Sequence, residues 1–203
     1  MSEVSGQRVV LASGSATRRE MLARAGVEVE IDPPAVDEDM VKASFRAEGA
    51  RAEEVSEALA EMKAMRVTRR HPGALVIGAD QMLDCNGTWF DKPPDPDHAR
   101  AQLIALRGKT HRLVSTAVVV RDGVRIWHRT DRATLTMRNF SDAFLDDYLA
   151  RAGTAVLGSV GAYQLEGLGA QLFARVEGDY FTVLGLPLLP LLDYLRVQGV
   201  LRI

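Results

Sequence analysis

The segment ALVIGADQMLDCNGTWFDKP, residues 74–93, constrains the fold more than any other part of the sequence. It opens with a short apolar run rich in β-branched residues, which predicts a strand buried on both faces. Asp80 follows at the predicted carboxyl end, the edge of open α/β sheets where ligands collect. Asn86 and Gly87 suit the two central positions of a tight hairpin turn, so the returning arm brings Lys92 back towards Asp80. We predict an acid and a base near each other; an ordinary surface turn is the alternative.

A second unit, near the amino end, combines a strand, a turn of small residues and a helix. Residues 8–12 predict the strand, and residues 16–25 have a helical pattern that Ser15 caps. The turn offers free backbone N–H groups at the positive end of the helix dipole, next to the Ser13 hydroxyl and the Arg18 guanidinium. These groups suit an anion such as phosphate. The alternative is a capped helix with solvated arginines.

Two further segments contain charged residues that are candidates for a binding or metal site. Residues 28–38 alternate and then break at two prolines, which predicts an edge strand or extended arm ending in Asp37 and Glu38. These acids are either metal ligands or part of a solvated loop. Residues 53–70 predict a helix with Lys63 at the margin of its apolar stripe, where it reaches into a cleft or simply lies along the helix. The predicted inward stripe is Val55, Leu59 and Met62.

The remaining chain mixes crossover units with hairpins, which predicts an α/β fold with a mixed sheet and flanking helices. Helices are expected after Asp95, after Ser141 and from Pro187. The predicted strands cover residues 111–120, 124–137, 170–176 and 181–184, and a glycine-dense passage covers residues 158–169. The apolar C-terminal segment, residues 186–195, serves either the core or an interface.

Charge and cysteine content exclude several classes of function. The formal net charge is -2 and the basic residues are scattered, so no nucleic-acid partner is predicted. The single cysteine, Cys85, forms no internal disulfide, and the four histidines have no zinc-ligand spacing. No apolar run approaches membrane-spanning length and no signal peptide is recognised, so no membrane partner is expected. These features predict a cytoplasmic protein.

Taken together, the motifs resemble those of the Maf family of nucleoside triphosphate pyrophosphatases. The resemblance covers nearly the whole chain and rests on LASGSATRREML at residues 11–22, VDE at 36–38, Lys63, GADQ at 78–81, DKP at 91–93, LRGKTH at 106–111, GAYQLEGLGAQLF at 161–173 and EGDYFTVLGLPL at 177–188. It implies a single domain over residues 1–203, with a strongly twisted mixed sheet and two lobes around a cleft that holds the site. It also suggests a homodimer.

The resemblance implies hydrolysis of a nucleoside triphosphate to the monophosphate and pyrophosphate, with a divalent cation, Mg²⁺ or Mn²⁺. Asp80 would be the general base or a metal ligand that generates the attacking hydroxide, and Glu38 would be the second metal ligand. The catalytic pair would be Asp80 and Lys92. The groups that would hold the triphosphate are Ser13, Ser15, Arg18, Lys92 and Lys63.

Three positions depart from the pattern of many family members that act on dTTP and UTP. Thr17 replaces an arginine, Gln81 replaces the threonine after the aspartate, and Glu166 replaces a glutamine. The last two resemble the branch that acts on 7-methyl-GTP. A carboxylate accepts both N1–H and N2–H of a guanine, whereas uracil and thymine suit an amide better. Glu166 as a structural acid of the glycine loop, and dTTP or UTP as substrate, are the alternatives.

The sequence differs from the family pattern at two further places, and two other classes of function are alternatives to hydrolysis. Ser159 and Val160 replace a lysine-alanine pair of many members, and no acid stands between Gly153 and Gly158. A nucleotide-binding regulator of cell division would use the same pocket without turnover. A phosphotransferase would need a phosphate loop, and the sequence has no GxxxxGK[ST] signature.

Overall fold

The computed structural model describes residues 6–203 of the chain, in which strands and helices are interspersed. The strands are β1 (Val9–Ala12), β2 (Glu30–Ile31), β3 (Leu75–Cys85), β4 (Thr88–Phe90), β5 (Thr110–Arg121), β6 (Val124–Met137) and β7 (Phe173–Glu177). The α-helices are α1 (Ala16–Arg24), α2 (Glu38–Ala47), α3 (Ala52–Thr68), α4 (Pro96–Leu106), α5 (Asp142–Ala152), α6 (Tyr180–Val183) and α7 (Leu188–Val197). Short 3₁₀ segments cover Gly153–Gly158, Val160–Ala162 and Leu168–Leu172.

All seven strands form one mixed sheet in the order β2-β1-β3-β5-β6-β7, with β4 paired to β3. The strands β2, β1 and β3 run parallel to one another, and the pairs β3–β5, β5–β6 and β6–β7 are antiparallel. Helices pack on this sheet, so the predicted α/β fold with a mixed sheet and flanking helices is confirmed. Within residues 6–203, no helix has both the length and the apolar character required to cross a membrane.

Strand β3 changes its neighbour along its length, and this change opens space for a site. Its first residues pair with β1 as far as Ala12 and Gly78, and its last residues pair with β4 from Leu83 onwards. Asp80 lies between these two pairings, with β5 alone beside it. The prediction that the strand ends at Asp80 is therefore wrong: it continues to Cys85, because its later residues are also buried.

Helix α3 packs unusually close to β3 because Gly78 has no side chain. A Cβ atom at this position would lie 2.0 Å from the Ala60 carbonyl oxygen and 2.9 Å from Ala64 Cβ. Val55 and Leu59 are fully buried, as predicted, but Met62 is only half-buried. The buried stripe instead continues through Lys63, which the sequence placed at the margin.

The predicted hairpin turn and helix caps, which depend on contacts between residues close in sequence, are confirmed. Asn86 and Gly87 both have positive φ, 54° and 83°, as the tight hairpin turn requires. The predicted caps at Ser15, Asp95 and Ser141 each accept a hydrogen bond from the first turn of their helix.

Two predictions near the carboxyl end are wrong. Residues 181–184 form no strand, because Asp179 caps a short helix there, accepting a 2.8 Å hydrogen bond from the Thr182 amide. The strand predicted over residues 170–176 begins only at Phe173, after a 3₁₀ turn. The leucines of residues 186–195 belong mainly to the core beside β1 and β3, although Leu189 is exposed.

Candidate active site

One cavity of about 750 Å³ brings together residues that are far apart in the sequence. It lies where β1 ends, beside the start of α1, the arm before α2, and the end of the β3–β4 hairpin. Nine of the ten predicted site residues line it: Ser13, Ser15, Thr17, Arg18, Glu38, Lys63, Asp80, Gln81 and Lys92. The serine-arginine turn and the aspartate-lysine hairpin therefore share one pocket.

Two carboxylates and one ammonium group form the buried centre of this cavity. Lys63 Nζ donates to Asp80 Oδ1 at 2.7 Å and lies 2.8 Å from Glu38 Oε1. Asp80 and Lys63 are only 4% and 7% exposed, so little water screens their interaction. The direct partner of Asp80 is thus Lys63 rather than Lys92. The prediction that Glu38 ends an extended arm is wrong, because Glu38 is the first residue of α2.

The two carboxylates have pKa values shifted in opposite directions. Burial raises the pKa of Asp80 above its ordinary value, although Lys63 and Arg18 oppose the shift. Burial also acts to raise the pKa of Glu38, but the positive charges of Lys63, Lys42 and Arg18 outweigh it and the net pKa is lowered. Opposite pKa shifts are a common sign that paired acids have different roles, and the upward shift suits Asp80 to accept a proton.

The turn before α1 presents hydroxyl protons to the cavity. Ser13 Oγ accepts from the Ser15 amide and from Arg18 Nη1, both at 3.2 Å, and Ser15 Oγ accepts from the Arg18 amide at 3.3 Å. Within residues 6–203, neither hydroxyl donates a hydrogen bond to a protein group. Both protons are therefore available to an anion at the positive end of the helix dipole.

Arg18 is fixed by the protein on one side. Its Nε donates to the Gly185 carbonyl at 2.8 Å, and its Nη1 donates to the Ala79 carbonyl at 3.1 Å. Burial lowers the pKa of Arg18, opposed by the negative charges of Asp80 and Glu38. The Nη2 group makes no protein hydrogen bond in the described part of the chain, so it can reach a ligand while the rest of the side chain stays in place.

The cavity contains a cationic residue that sequence reasoning missed. Lys42 is 9% exposed, and its Nζ lies 2.5 Å from Asp91 Oδ1 and 4.0 Å from Glu38 Oε2. Its signal was the i,i+4 spacing from Glu38, which marks one face of a helix. Helix α2 was not predicted, so this spacing was not recognised.

Lys92 differs from Lys42 and Lys63 in its exposure and in its lack of an acidic partner among residues 6–203. It is exposed at the cavity wall and forms no ion pair with any carboxylate of residues 6–203. Partial desolvation at the cavity wall, together with the charge of Arg18, lowers the pKa of Lys92. An unpaired cation at this position suits a polyanionic ligand.

Gln81 points to the opposite face of the sheet from Asp80, because neighbouring strand residues alternate. Its amide nitrogen lies within hydrogen-bond distance of Ser115 Oγ and of the Thr182 and Val183 carbonyls, at 3.0–3.1 Å. The amide nitrogen is thus used to hold α6 against the sheet. The oxygen, Oε1, remains as an acceptor near Arg18.

Glu166, the tenth predicted residue, lines a smaller neighbouring cavity of about 50 Å³. This cavity shares Thr17, Gln81 and the Ser159–Val160 wall with the larger one. Glu166 is exposed, and its side chain has no hydrogen bond or ion pair with the described residues. Its interpretation as a structural acid of the glycine loop therefore has no supporting contact.

The donor set is compatible with a small divalent cation. Mg²⁺ is usually bound through one or two carboxylates, with phosphate oxygens and water completing its coordination. Glu38 and Asp80 supply that number, and Asp80 Oδ2 is buried without a hydrogen-bond partner among residues 6–203. The same residues contain no cluster of three or more acidic, histidine or cysteine side chains arranged to hold a metal ion.

Comparison of the sequence with known proteins identifies the family to which the chain is similar. Residues 8–198 match the family described as Maf-like protein. A nucleoside triphosphate pyrophosphatase of Paramagnetospirillum magneticum is 64% identical over 94% of this chain and 98% of its own. A 7-methyl-GTP pyrophosphatase of Mesorhizobium japonicum is 49% identical over 95% of this chain and 97% of its own.

Other relatives are similar over the same length. A nucleoside triphosphate pyrophosphatase of Granulibacter bethesdensis is 55% identical over 97% of this chain and all of its own. Among solved structures, a dITP/XTP pyrophosphatase of Mycobacterium abscessus matches 95% of this chain and 94% of its own, with 15% identity and a TM-score of 0.42. On the sequence matches, this chain belongs to the Maf family.

Proposed function

We propose that this protein is a nucleoside triphosphate pyrophosphatase that releases pyrophosphate and the nucleoside monophosphate. The observation that carries this proposal is the single cavity in which the anion-binding turn before α1 faces Asp80. The names of the relatives, which match 94% and 97% of this chain, support the same activity.

Each cationic or donor group has a distinct place in binding. The Ser13 and Ser15 hydroxyls and the free Nη2 of Arg18 would hold phosphate oxygens at the amino end of α1. Lys92 would approach from the hairpin on the other wall and stabilise the charge that develops as the phosphoanhydride bond breaks. Lys63 is a further cationic contact.

Asp80 is the group best placed to take a proton from the attacking water. Burial raises the pKa of Asp80, which suits a proton acceptor, and its Oδ2 has no hydrogen-bond partner among residues 6–203. A divalent cation held by Glu38 and Asp80 would supply charge neutralisation at the phosphate oxygens. The fixed position of Asp80 in the middle of β3 keeps this acceptor in place through the reaction.

A guanine-type modified base is the proposed preference, with 7-methyl-GTP as its example. Glu166 is an exposed, unpaired carboxylate beside the cavity, which suits the paired N–H donors of a guanine and the positive charge of a methylated ring. The relative named 7-methyl-GTP pyrophosphatase agrees with this choice. The second candidates are dTTP and UTP.

A panel of nucleoside triphosphates tests the function directly. The protein is incubated with 7-methyl-GTP, GTP, dTTP, UTP and ATP, with and without Mg²⁺ or Mn²⁺, and both pyrophosphate and free phosphate are measured. We expect release of pyrophosphate that depends on the metal. Binding without release would favour a nucleotide-binding regulator, and formation of the diphosphate with free phosphate would favour phosphate transfer.

Exchange of Glu166 for glutamine tests the base preference. The Glu166→Gln variant is expected to lose activity on guanine-type substrates relative to dTTP and UTP by about 5- to 150-fold, the range for loss of one matched polar contact of 1–3 kcal/mol. Ratios of kcat/KM across the panel give the measurement. Glu28→Gln, an exposed residue outside both cavities, is the matched control. An unchanged ranking of substrates would exclude Glu166 from base recognition.

A homodimer and a cytoplasmic location remain predictions from the sequence. Light scattering during gel filtration measures the first, and cell fractionation measures the second.

A further inference from the structure

Lys63 occupies the position between the two carboxylates that are the candidate metal ligands. Its ammonium group lies 2.7 Å from Asp80 Oδ1 and 2.8 Å from Glu38 Oε1, so one positive charge joins both acids. The close approach of α3 to β3 at Gly78 fixes this position. An ammonium and a divalent cation that share the same two carboxylates repel each other in a buried site, where little water screens their charges.

We infer that Lys63 acts as an internal counter-ion, which holds Glu38 and Asp80 together until a divalent cation and a triphosphate arrive, and which then moves from the carboxylates to the phosphate. The inference rests on the proposed function for the identity of the phosphate ligand. It assigns Lys63 a role in the order of binding, beyond that of an additional cationic contact.

The surrounding charges explain why the exchange needs the triphosphate. Arg18, Lys42 and Lys92 all line the same cavity, so the two acids already face several positive groups. Once the divalent cation takes the two carboxylates, the Lys63 ammonium would lose both of its close acceptors while these three cations remain in the same cavity. The phosphate oxygens provide new acceptors for it, so cation and nucleotide should bind with positive coupling.

Lys42 provides a matched control within the same cavity. It is also a nearly buried lysine, but its close partner is Asp91 and it lies 4.0 Å from Glu38 Oε2. Lys42 therefore pairs closely with a different acid, approaches Glu38 only at 4.0 Å, and does not bridge the two candidate ligands. Removing its charge should alter the affinity for the cation much less than removing that of Lys63.

Direct binding of Mn²⁺ to the nucleotide-free protein is the decisive measurement. Titration calorimetry or electron paramagnetic resonance gives the affinity for wild type, Lys63→Gln, Lys63→Met, Lys63→Arg and Lys42→Met. We expect Lys63→Gln and Lys63→Met to bind Mn²⁺ about tenfold more tightly than wild type, within the usual range of coupling between sites. Lys63→Arg, which retains a cation, should remain close to wild type, and Lys42→Met should change the affinity much less than the neutral Lys63 variants do.

A second titration measures the coupling. With a non-hydrolysable α,β-methylene triphosphate present, and corrected for Mn²⁺ bound by the analogue alone, the gain in Mn²⁺ affinity should be smaller in Lys63→Gln than in wild type. Lys63→Gln retains hydrogen-bond donors and provides the test if Lys63→Met does not fold. Folded neutral variants that bind Mn²⁺ no more tightly than wild type would overturn the inference, as would tighter binding by Lys63→Arg.

These readouts separate the inference from the proposed function. Mn²⁺ affinity in the absence of nucleotide does not depend on turnover. A protein that releases no pyrophosphate but shows the expected change on Lys63→Gln would retain the counter-ion and lose the enzyme assignment. A protein that releases pyrophosphate but shows no change in Mn²⁺ affinity on Lys63→Gln would retain the enzyme assignment and overturn the counter-ion role of Lys63.

Discussion

Replacement of Asp80 by asparagine is expected to lower the rate of pyrophosphate release by about 10²–10⁴-fold, the usual contribution of a general acid or base. The amide keeps the shape of the side chain and can still accept the hydrogen bond from Lys63, but it cannot take a proton. Nucleotide binding should persist, because the serine hydroxyls and Arg18 are unchanged. Single-turnover rates and equilibrium binding of a non-hydrolysable analogue measure the two effects separately.

Asp84→Asn is the control for loss of a buried acid from the same strand. Asp84 is 5% exposed, pairs with Arg112 at 2.8 Å and accepts from the Gly87 amide in the hairpin turn. It does not line the cavity, so we expect some loss of stability with turnover near wild type. Full activity of Asp80→Asn would exclude Asp80 from the chemistry and require another proton acceptor.

Replacement of Gly78 by alanine is expected to destabilise the protein by about 1–3 kcal/mol or more, the range for overpacking of a core. The added methyl group would meet the Ala60 carbonyl oxygen at 2.0 Å and Ala64 Cβ at 2.9 Å. Both belong to α3, so the whole helix must shift, and Lys63 would move away from Asp80 with it. Denaturant unfolding measures the stability, and turnover of the remaining folded protein measures the displacement.

Gly6→Ala is the control for the backbone effect of removing a glycine. A Cβ atom at Gly6 would have no heavy atom within 4 Å, so its effect on unfolding should be small. A Gly78→Ala variant with wild-type stability would mean that α3 and β3 can separate freely. In that case, the packing at Gly78 would not determine the position of Lys63.

Local chemistry in the sequence was sufficient for several elements. The positive φ values of Asn86 and Gly87 follow from residues that tolerate that backbone conformation, and the caps at Ser15 and Asp95 follow from side chains that bond to nearby amides. These interactions span only a few residues, so their partners can be identified without the fold. The candidate residues were also found in this way, through motifs whose order resembles that of the Maf family.

Tertiary packing decided the features that depend on distant partners. Residues 181–184 form part of a helical turn held by Gln81 and Arg18 instead of a strand, and short apolar runs such as this one suit either structure. Lys42 was missed because its role depends on Asp91, which is distant in sequence. Lys63 was placed at a helix margin, since only the close packing at Gly78 shows that it is buried.

The sequence by itself determined the family and the fold class, and it identified most of the polar residues that line the candidate site. It could not determine which lysine pairs with Asp80, because that choice depends on distances between α3, α2 and the hairpin. Those distances are set by burial of side chains across the sheet, and a one-dimensional pattern records that a residue is charged but not which charge it meets. Only the tertiary structure therefore placed Lys63, instead of Lys92, between the two carboxylates.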